Sequence, residues 1–206
     1  MAPDLPDKYY TIKSVSRGIH RSRGSRFIAF ASPVYSVNEV KSLLDGYRKE
    51  YHDARHHCYA YIVGHDKGTW RINDDGEPSG TAGRPILGQI NSNNLTNILV
   101  VVIRYFGGTL LGVSGLIDAY KKAAAEALKN SEVIECAVKD YYQLYFPYSS
   151  MNDVMKILKE EVVEQSDQVF ELSCMIKIGF RSSLKEHILS KLSNINGLRL
   201  EYIVTR

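Results

Sequence analysis

The sequence predicts an α+β protein of two domains, and three observations carry that expectation. Its 206 residues are enough for two cores of ordinary size. One apolar run, 98–105, has the length and composition of a strand covered on both faces. After Cys136 the pattern restarts as a unit of its own in the order βαββαβ. The expected domains are 1–137 and 138–206.

In the first domain, a strand at 26–32 precedes a helix at 36–51, whose Val37, Val40, Leu44, Tyr47 and Tyr51 fall on one face. Ser36 with Glu39 three residues on is a capping box for its start. A strand at 58–63 follows, rich in aromatic and β-branched side chains. A glycine- and proline-containing helix is expected near 83–91. The run 98–105 is the expected middle of the sheet. The segment 114–130, with Ile117, Tyr120, Ala124 and Ala127 in helical phase, is a second covering helix, its alanines suited to close packing.

In the second domain, Tyr142, Leu144 and Phe146 alternate as a strand, and Ser150 with Asp153 opens a helix bearing Met151, Val154, Leu158 and Val162. Residues 162–178 read as a hairpin turning near Ser166 and Asp167. Ser183 and Glu186 cap a helix with Leu184, Ile188 and Leu192, and Gly197 precedes a last strand of Leu198, Leu200, Tyr202 and Val204. This is the ferredoxin-like order, two helices on one face of an antiparallel sheet.

An apolar fraction of 44% beside a charged fraction of 24% argues against disorder. The longest apolar run is far short of the roughly 20 residues of a spanning helix. Residues 1–7 carry two aspartates and two prolines in place of a basic-then-apolar leader, so a cytoplasmic protein without membrane contact is expected. Cys58, Cys136 and Cys174 form no disulfide framework and no CxxC knuckle. The net charge of +3 is small but uneven: 17 basic and 14 acidic residues lie in the first domain, against 9 of each in the second. Lys13, Arg17, Arg21, Arg23 and Arg26, with His20 among them, form a basic strip with no acidic residue between Asp7 and Glu39. It reads as a solvated surface or as a phosphate-facing patch.

Two segments carry the chemistry. In 74–87, DDGEPSGTAGRPIL, the glycine and proline density specifies a fixed irregular loop. Asp74, Asp75 and Glu77 offer oxygen ligands to a hard cation, and Thr81 to Gly83 offer amides to an anion; alternatively the acids cap turns and pair with Arg84 or Arg104. In 104–116 an arginine ends an apolar strand, a glycine turn follows, and a helix begins with free amides. Arg104 needs a partner for its charge, which Asp75, Glu77 or a ligand can supply. The Gly-Lys-Ser/Thr ending of a Walker loop is missing, as is GxGxxG, so nucleotide cofactors are not expected. His56, His57 and Cys58 cannot converge on a metal from one strand; one core-facing and one exposed ring are expected. Ser79 and Ser114 sit in no GxSxG elbow and HExxH is absent. Trp70, Tyr59 and Tyr61 stack bases if exposed and belong to the core otherwise.

Together, DDGEPSGTAGRPIL and VVIRYFGGTLLGVSGLIDAY closely resemble the signature of the IMPACT/YigZ-like family, supported upstream by Ser25 to Ala29 and His57 to Tyr61. The resemblance spans essentially the whole chain. It implies an N-terminal α/β sandwich like the second domain of a small-subunit ribosomal protein, and a ferredoxin-like domain like the last domain of elongation factor G. The family's motif positions fall on Asp74, Asp75, Gly76, Glu77, Pro78, Gly80, Thr81, Gly83, Arg104, Tyr105, Gly107, Gly108 and Gly112. Ser114 stands in place of a usual glycine, and Asp118 where the family often has a basic residue. Eukaryotic relatives restrain an amino-acid-starvation kinase through an additional N-terminal domain; none fits before Lys13, so that role is not expected here.

The leading expectation is a noncatalytic RNA- or ribosome-associated module without cofactor, metal or DNA sequence specificity. Its anion-facing candidates are Arg26, His57, Asp74, Asp75, Glu77, Thr81, Gly83, Arg84, Arg104, Tyr105, Gly107, Gly108 and Gly112, together with the basic strip. An enzyme reading instead makes Asp75, Glu77, Arg104 and His57 a cleft for an anionic metabolite. A scaffold reading needs an exposed apolar patch around Met175 and Ile203 that receives a protein partner.

Overall fold

The computed structural model describes residues 7–206; the stretch 1–6, on which most of the leader argument rests, lies outside them. In chain order the elements are β1 (Lys8–Ile12), β2 (Ser16–Ser22), β3 (Ser25–Pro33), α1 (Val37–Glu50), β4 (His56–Val63), β5 (Thr69–Asn73), α2 (Gly83–Ser92), β6 (Ile98–Tyr105), α3 (Gly112–Lys129), β7 (Val133–Ala137), β8 (Lys139–Pro147), α4 (Met151–Glu160), β9 (Glu164–Val169), β10 (Ser173–Arg181), α5 (Lys185–Ser193) and β11 (Arg199–Thr205). The protein is mixed α+β, in two compact units. One is Tyr9–Cys136; the other is Ala137–Arg206, with which Asp7 and Lys8 are grouped.

In the first unit the main sheet runs β2-β3-β6-β4-β5, every neighbour antiparallel. Strand β6 is its centre, buried from Ile98 to Arg104. An unbroken apolar strand usually signals helices on both faces, and that cover is present although the sheet is antiparallel. Helices α2 and α3 lie on one face, over Phe27, Ala29, Cys58, Ala60, Val100 and Val102. Helix α1 covers the other, over Ile28, Tyr59, Tyr61, Leu99, Val101 and Ile103. The α3 face is lined with small residues, which lets backbone approach backbone. A Cβ on Gly18 would stand 2.3 Å from the Ala127 nitrogen, and the Ser16 hydroxyl donates to the Ala127 carbonyl. The expected cap of α1 is formed: Ser36 Oγ accepts from the Glu39 amide, and the Glu39 carboxylate accepts from the Tyr35 amide. Strands β1 and β7 make a separate two-stranded sheet. They and β5, at five residues each, are too short to raise a periodic signal.

The second unit is a four-stranded antiparallel sheet in the order β11-β8-β10-β9, the split βαβ arrangement. Leu144, Phe146, Ile176 and Ile178 face Val154 and Leu158 of α4 and Ile188 and Leu192 of α5. Three local expectations are corrected here. The hairpin turns at residues 170–172 instead of Ser166–Asp167; Asp167 does take a left-handed φ of 49°, but it does so within β9, where the register with β10 shifts by a bulge. Ser150 does not cap α4, because its hydroxyl donates to the Asn196 carbonyl. Ser183 does not cap α5, because its hydroxyl and amide are bound to Asp7. For both serines, a tertiary partner outcompeted the local one. No helix among the described residues is long and apolar enough to cross a membrane.

Candidate nucleic-acid interface

The acidic loop after β5 is held by its own backbone. Asp74 Oδ1 accepts from the amides of Ala82 and Gly83 at 3.0 and 2.8 Å, and its Oδ2 accepts from Gly80 at 2.8 Å. The amides that open α2, which the sequence offered to an anion, are therefore answered by a carboxylate eight and nine residues upstream. Asp75 Oδ2 accepts from the His57 amide at 2.7 Å, and its carbonyl faces His56 Nδ1 at 2.8 Å. The Thr81 hydroxyl donates to the Pro78 carbonyl at 2.7 Å. Asp74, Asp75 and Glu77 serve three different partner sets and do not converge on one point.

Glu77 turns inward. Its Oε1 accepts from Arg104 Nη1 at 2.6 Å and from the Tyr120 hydroxyl at 2.9 Å, and the two charged side chains are only 4% and 6% exposed. The Cys58 thiol donates to the Tyr120 oxygen at 3.2 Å, extending the chain of hydrogen bonds into the sheet. Burial pushes both the Cys58 thiol and the Tyr120 phenol far up, so neither supplies a nucleophile near neutrality. The Arg104 guanidinium carbon lies 5.5 and 5.6 Å from the ring centroids of Phe27 and Phe106, and its Nε is buried without a hydrogen-bond partner among the described residues. Both histidines are engaged, contrary to the expectation of one exposed ring. His57 is 7% exposed with Nε2 on the Tyr51 carbonyl, while His56 sits beside Glu77. Desolvation lowers the His57 pKa, which Asp75 opposes.

One register step away the situation reverses. Phe27 pairs with Arg104, and Arg26 pairs with Tyr105, so the second pair points to the opposite face of the sheet. Arg21 stands directly across from Arg26 at the end of the β2–β3 hairpin, and Arg23, at a φ of 44°, forms its turn with Gly24. Among the described residues none of Arg21, Arg23 and Arg26 has an ion-pair partner, and all three are exposed. Like charges directly across an antiparallel pair destabilise it, so this pairing is a cost in the free protein. The guanidinium of Arg26 lies 4.5 Å from the Tyr105 ring centroid. The Tyr105 hydroxyl donates to Asp53 at 2.7 Å, which holds that carboxyl below its usual range; Arg26 adds to the effect without pairing to it. Arg21, Ser22, Arg23, Gly24, Arg26 and Tyr105 line an open hollow of about 480 Å³.

Gly107 places the loop after β6 against this hairpin. A Cβ there would stand 1.9 Å from the Gly24 carbonyl carbon, and the Gly107 amide donates to Ser25 Oγ. Gly108 lies exposed further along the loop, Gly112 is the exposed first residue of α3, and Gly83 is buried against β5. The rest of the basic strip disperses. Lys13 pairs with Glu132, and Arg17 lies over Phe30. Arg84 is exposed beside Gly80 and, among the described residues, makes no ion pair with the acids, which was one of its two expected roles. Tyr59 and Tyr61 are core residues, whereas Trp70 is 58% exposed. Sequence reasoning missed Tyr120, Cys58 and Asp53. Only Tyr120 left a signal: a tyrosine in the buried phase of a helix needs a partner for its hydroxyl.

Residues 23–128 match the family model described as Impact N-terminal domain. The chain is 33% identical over 159 residues to an IMPACT family member, YigZ, of Escherichia coli, covering 75% of this chain and 78% of that protein. It is 35% identical over 152 residues to the IMPACT family member YvyE of Bacillus subtilis, covering 74% and 70%. To the human Protein IMPACT it is 39% identical over 95 residues, 44% of this chain and 29% of that one. A crystal structure of a hypothetical protein superposes with a TM-score of 0.76 at 27% identity, covering 97% of this chain and 99% of that one.

Proposed function

The chain belongs to the IMPACT family, and from that premise we propose that it is a noncatalytic, cytoplasmic RNA- or ribosome-associated module that holds a phosphate backbone at its arginine hairpin. The observation that carries this reading is the hollow of Arg21, Arg23, Arg26 and Tyr105, where three exposed arginines lack carboxylate partners among the described residues and two face each other across the strands. Such an arrangement lowers its own repulsion when an anion bridges it, and arginine forks suit phosphate oxygens. The tyrosine supplies a flat apolar surface beside the charge, as single-strand binders use. The likeness to a ribosomal-protein domain and to the last domain of elongation factor G, expected from the family resemblance, points the same way, as an analogy of fold.

The acidic loop gives the hollow its rigidity and does not take part in holding the ligand. Arg104, Glu77, Asp74, Asp75 and His57 are each engaged by protein groups, which leaves them to fix the end of β6 from which Tyr105 and Gly107 project. A single-stranded RNA titration followed by fluorescence anisotropy at several salt concentrations tests the reading. Wild type is expected to show a log–log slope of about −0.7 per phosphate contact, and the triple variant Arg21→Ala, Arg23→Ala, Arg26→Ala a slope shallower by about two. Equal slopes for the two proteins, or no binding at low salt, would remove the proposal.

A further inference from the structure

The second unit carries its own unassigned surface. Strand β8 alternates cleanly: Tyr142, Leu144 and Phe146 are buried under α4 and α5, so Tyr141, Gln143 and Tyr145 point to the face that no helix of this unit covers. Strand β8 is one of the two central strands, so this row runs through the middle of the open face. Each tyrosine carries an arginine. Arg199 lies 4.5 Å from the Tyr145 ring centroid, and Arg206 lies 4.6 Å from that of Tyr141. Both arginines are exposed, and among the described residues neither has an ion-pair partner. Lys177, in register with Gln143 from β10, adds a third cation, weakly paired to Asp167 at 3.5 Å. Glu201, in register with Gln143 from β11, is the opposing charge of that row.

Three further features show that the row is built rather than incidental. Tyr141 packs against Gly179, where an added Cβ would stand 2.6 Å from its ring, so the glycine makes room for the ring. Between the tyrosines, Gln143 Nε2 is buried with no hydrogen-bond partner among the described residues. Beside Tyr145 and Arg199 an open hollow of about 420 Å³ is lined also by Pro147, Leu172, Ser173 and Gly197.

We infer that this open face of the second unit is a stacking platform for single-stranded RNA, with bases laid on the Tyr141–Arg206 and Tyr145–Arg199 pairs and the arginines also meeting the backbone phosphates. Four-stranded sheets of this topology in RNA-recognition modules stack bases on aromatic side chains, and arginine planes accept bases as aromatic rings do. Two stacking positions four residues apart on an extended strand are about 13 Å from each other, with Gln143 between them on the same face of β8. The inference extends the RNA-associated reading to the second unit but rests on different residues and on a different interaction, stacking in place of charge.

That difference sets the test. In the full chain, Tyr141→Ala and Tyr145→Ala are each expected to weaken binding of a short single-stranded RNA about fivefold or more while leaving the salt slope unchanged. Tyr145→Phe is expected to restore wild-type affinity, since the ring and not the hydroxyl carries the stack. Glu201→Gln is expected to tighten binding about twofold. A duplex of the same sequence should compete poorly, because its bases are already stacked. Photocrosslinking of an iodouridine-substituted RNA, mapped by mass spectrometry, separates the two sites. Crosslinks on Tyr141 or Tyr145 support the platform, even if the hairpin variant keeps its salt slope. Crosslinks confined to residues 21–26 and 105 overturn the platform and leave the hairpin reading standing; no crosslink at either place overturns both. The platform also fails if both alanine variants, melting as wild type does, bind within twofold of it, or if duplex and single strand compete equally.

Discussion

Arg104 and Arg26 lie one register step apart on neighbouring strands, yet the protein treats them oppositely. Arg104 points under α3, where Glu77 and Tyr120 close on it and solvent is excluded. Arg26 points to the other face, where it stays exposed on a tyrosine ring beside two more arginines without an ion pair among the described residues. A buried charge survives only when paired and hydrogen-bonded, whereas an exposed one can wait for a partner from outside. The contrast separates a charge that shapes the site from charges that remain available to a ligand.

The sharpest way to break this contrast is Glu77→Gln, which strands the Arg104 charge in the core. Urea denaturation is expected to show a loss of about 3–5 kcal/mol, and Arg104→Met in the same protein should recover much of it. A loss below about 1 kcal/mol would mean that the pair is solvated after all. Next comes Gly107→Ala, whose new Cβ would meet the Gly24 backbone; a loss of about 1–3 kcal/mol is expected in the same measurement, along with weaker RNA binding as the hairpin turn is displaced.

A smaller effect is set by pH. Burial lowers the pKa of His57 below its ordinary 6.5, so below pH 6.5 the unfolded chain takes up a proton that the native ring resists. Thermal melting should therefore show stability falling as the pH drops from 6.5 through the lowered native value, and His57→Gln should flatten that part of the profile. Smallest of all, Arg21→Ala and Arg26→Ala should change stability by no more than about 0.5 kcal/mol, with a slight gain where the repulsion across the strands is relieved. A large loss from either would place those arginines with Arg104 as structural residues.

Legibility followed the range of the interactions. The capping box of α1 was readable because both partners lie within four residues, and it formed. The apolar run of β6 was readable as the sheet's centre because cover on both faces removes polar residues from the strand itself. Asp167 gave an honest local signal, a left-handed backbone, but whether that becomes a turn or a bulge depends on the register with β10. Ser150 and Ser183 carried cap signals that Asn196 and Asp7, 46 and 176 residues away, overrode. At the candidate site the demand of Arg104 for a partner was visible, while the third member of its network, Tyr120, was 43 residues from Glu77 and out of reach of spacing arguments.

By itself, then, the amino-acid order determined the α+β class, most of the elements, the βαββαβ run after Cys136 and the family, since periodicity, glycine placement and motif identity are properties of neighbours along the chain. Tertiary structure alone decided which cations are neutralised and which remain open. Strand alternation sends Arg104 and Arg26 to opposite faces, but only the packing of Glu77 and α3 on one of them determines where water is excluded, and with it where a charge must find its partner inside the protein.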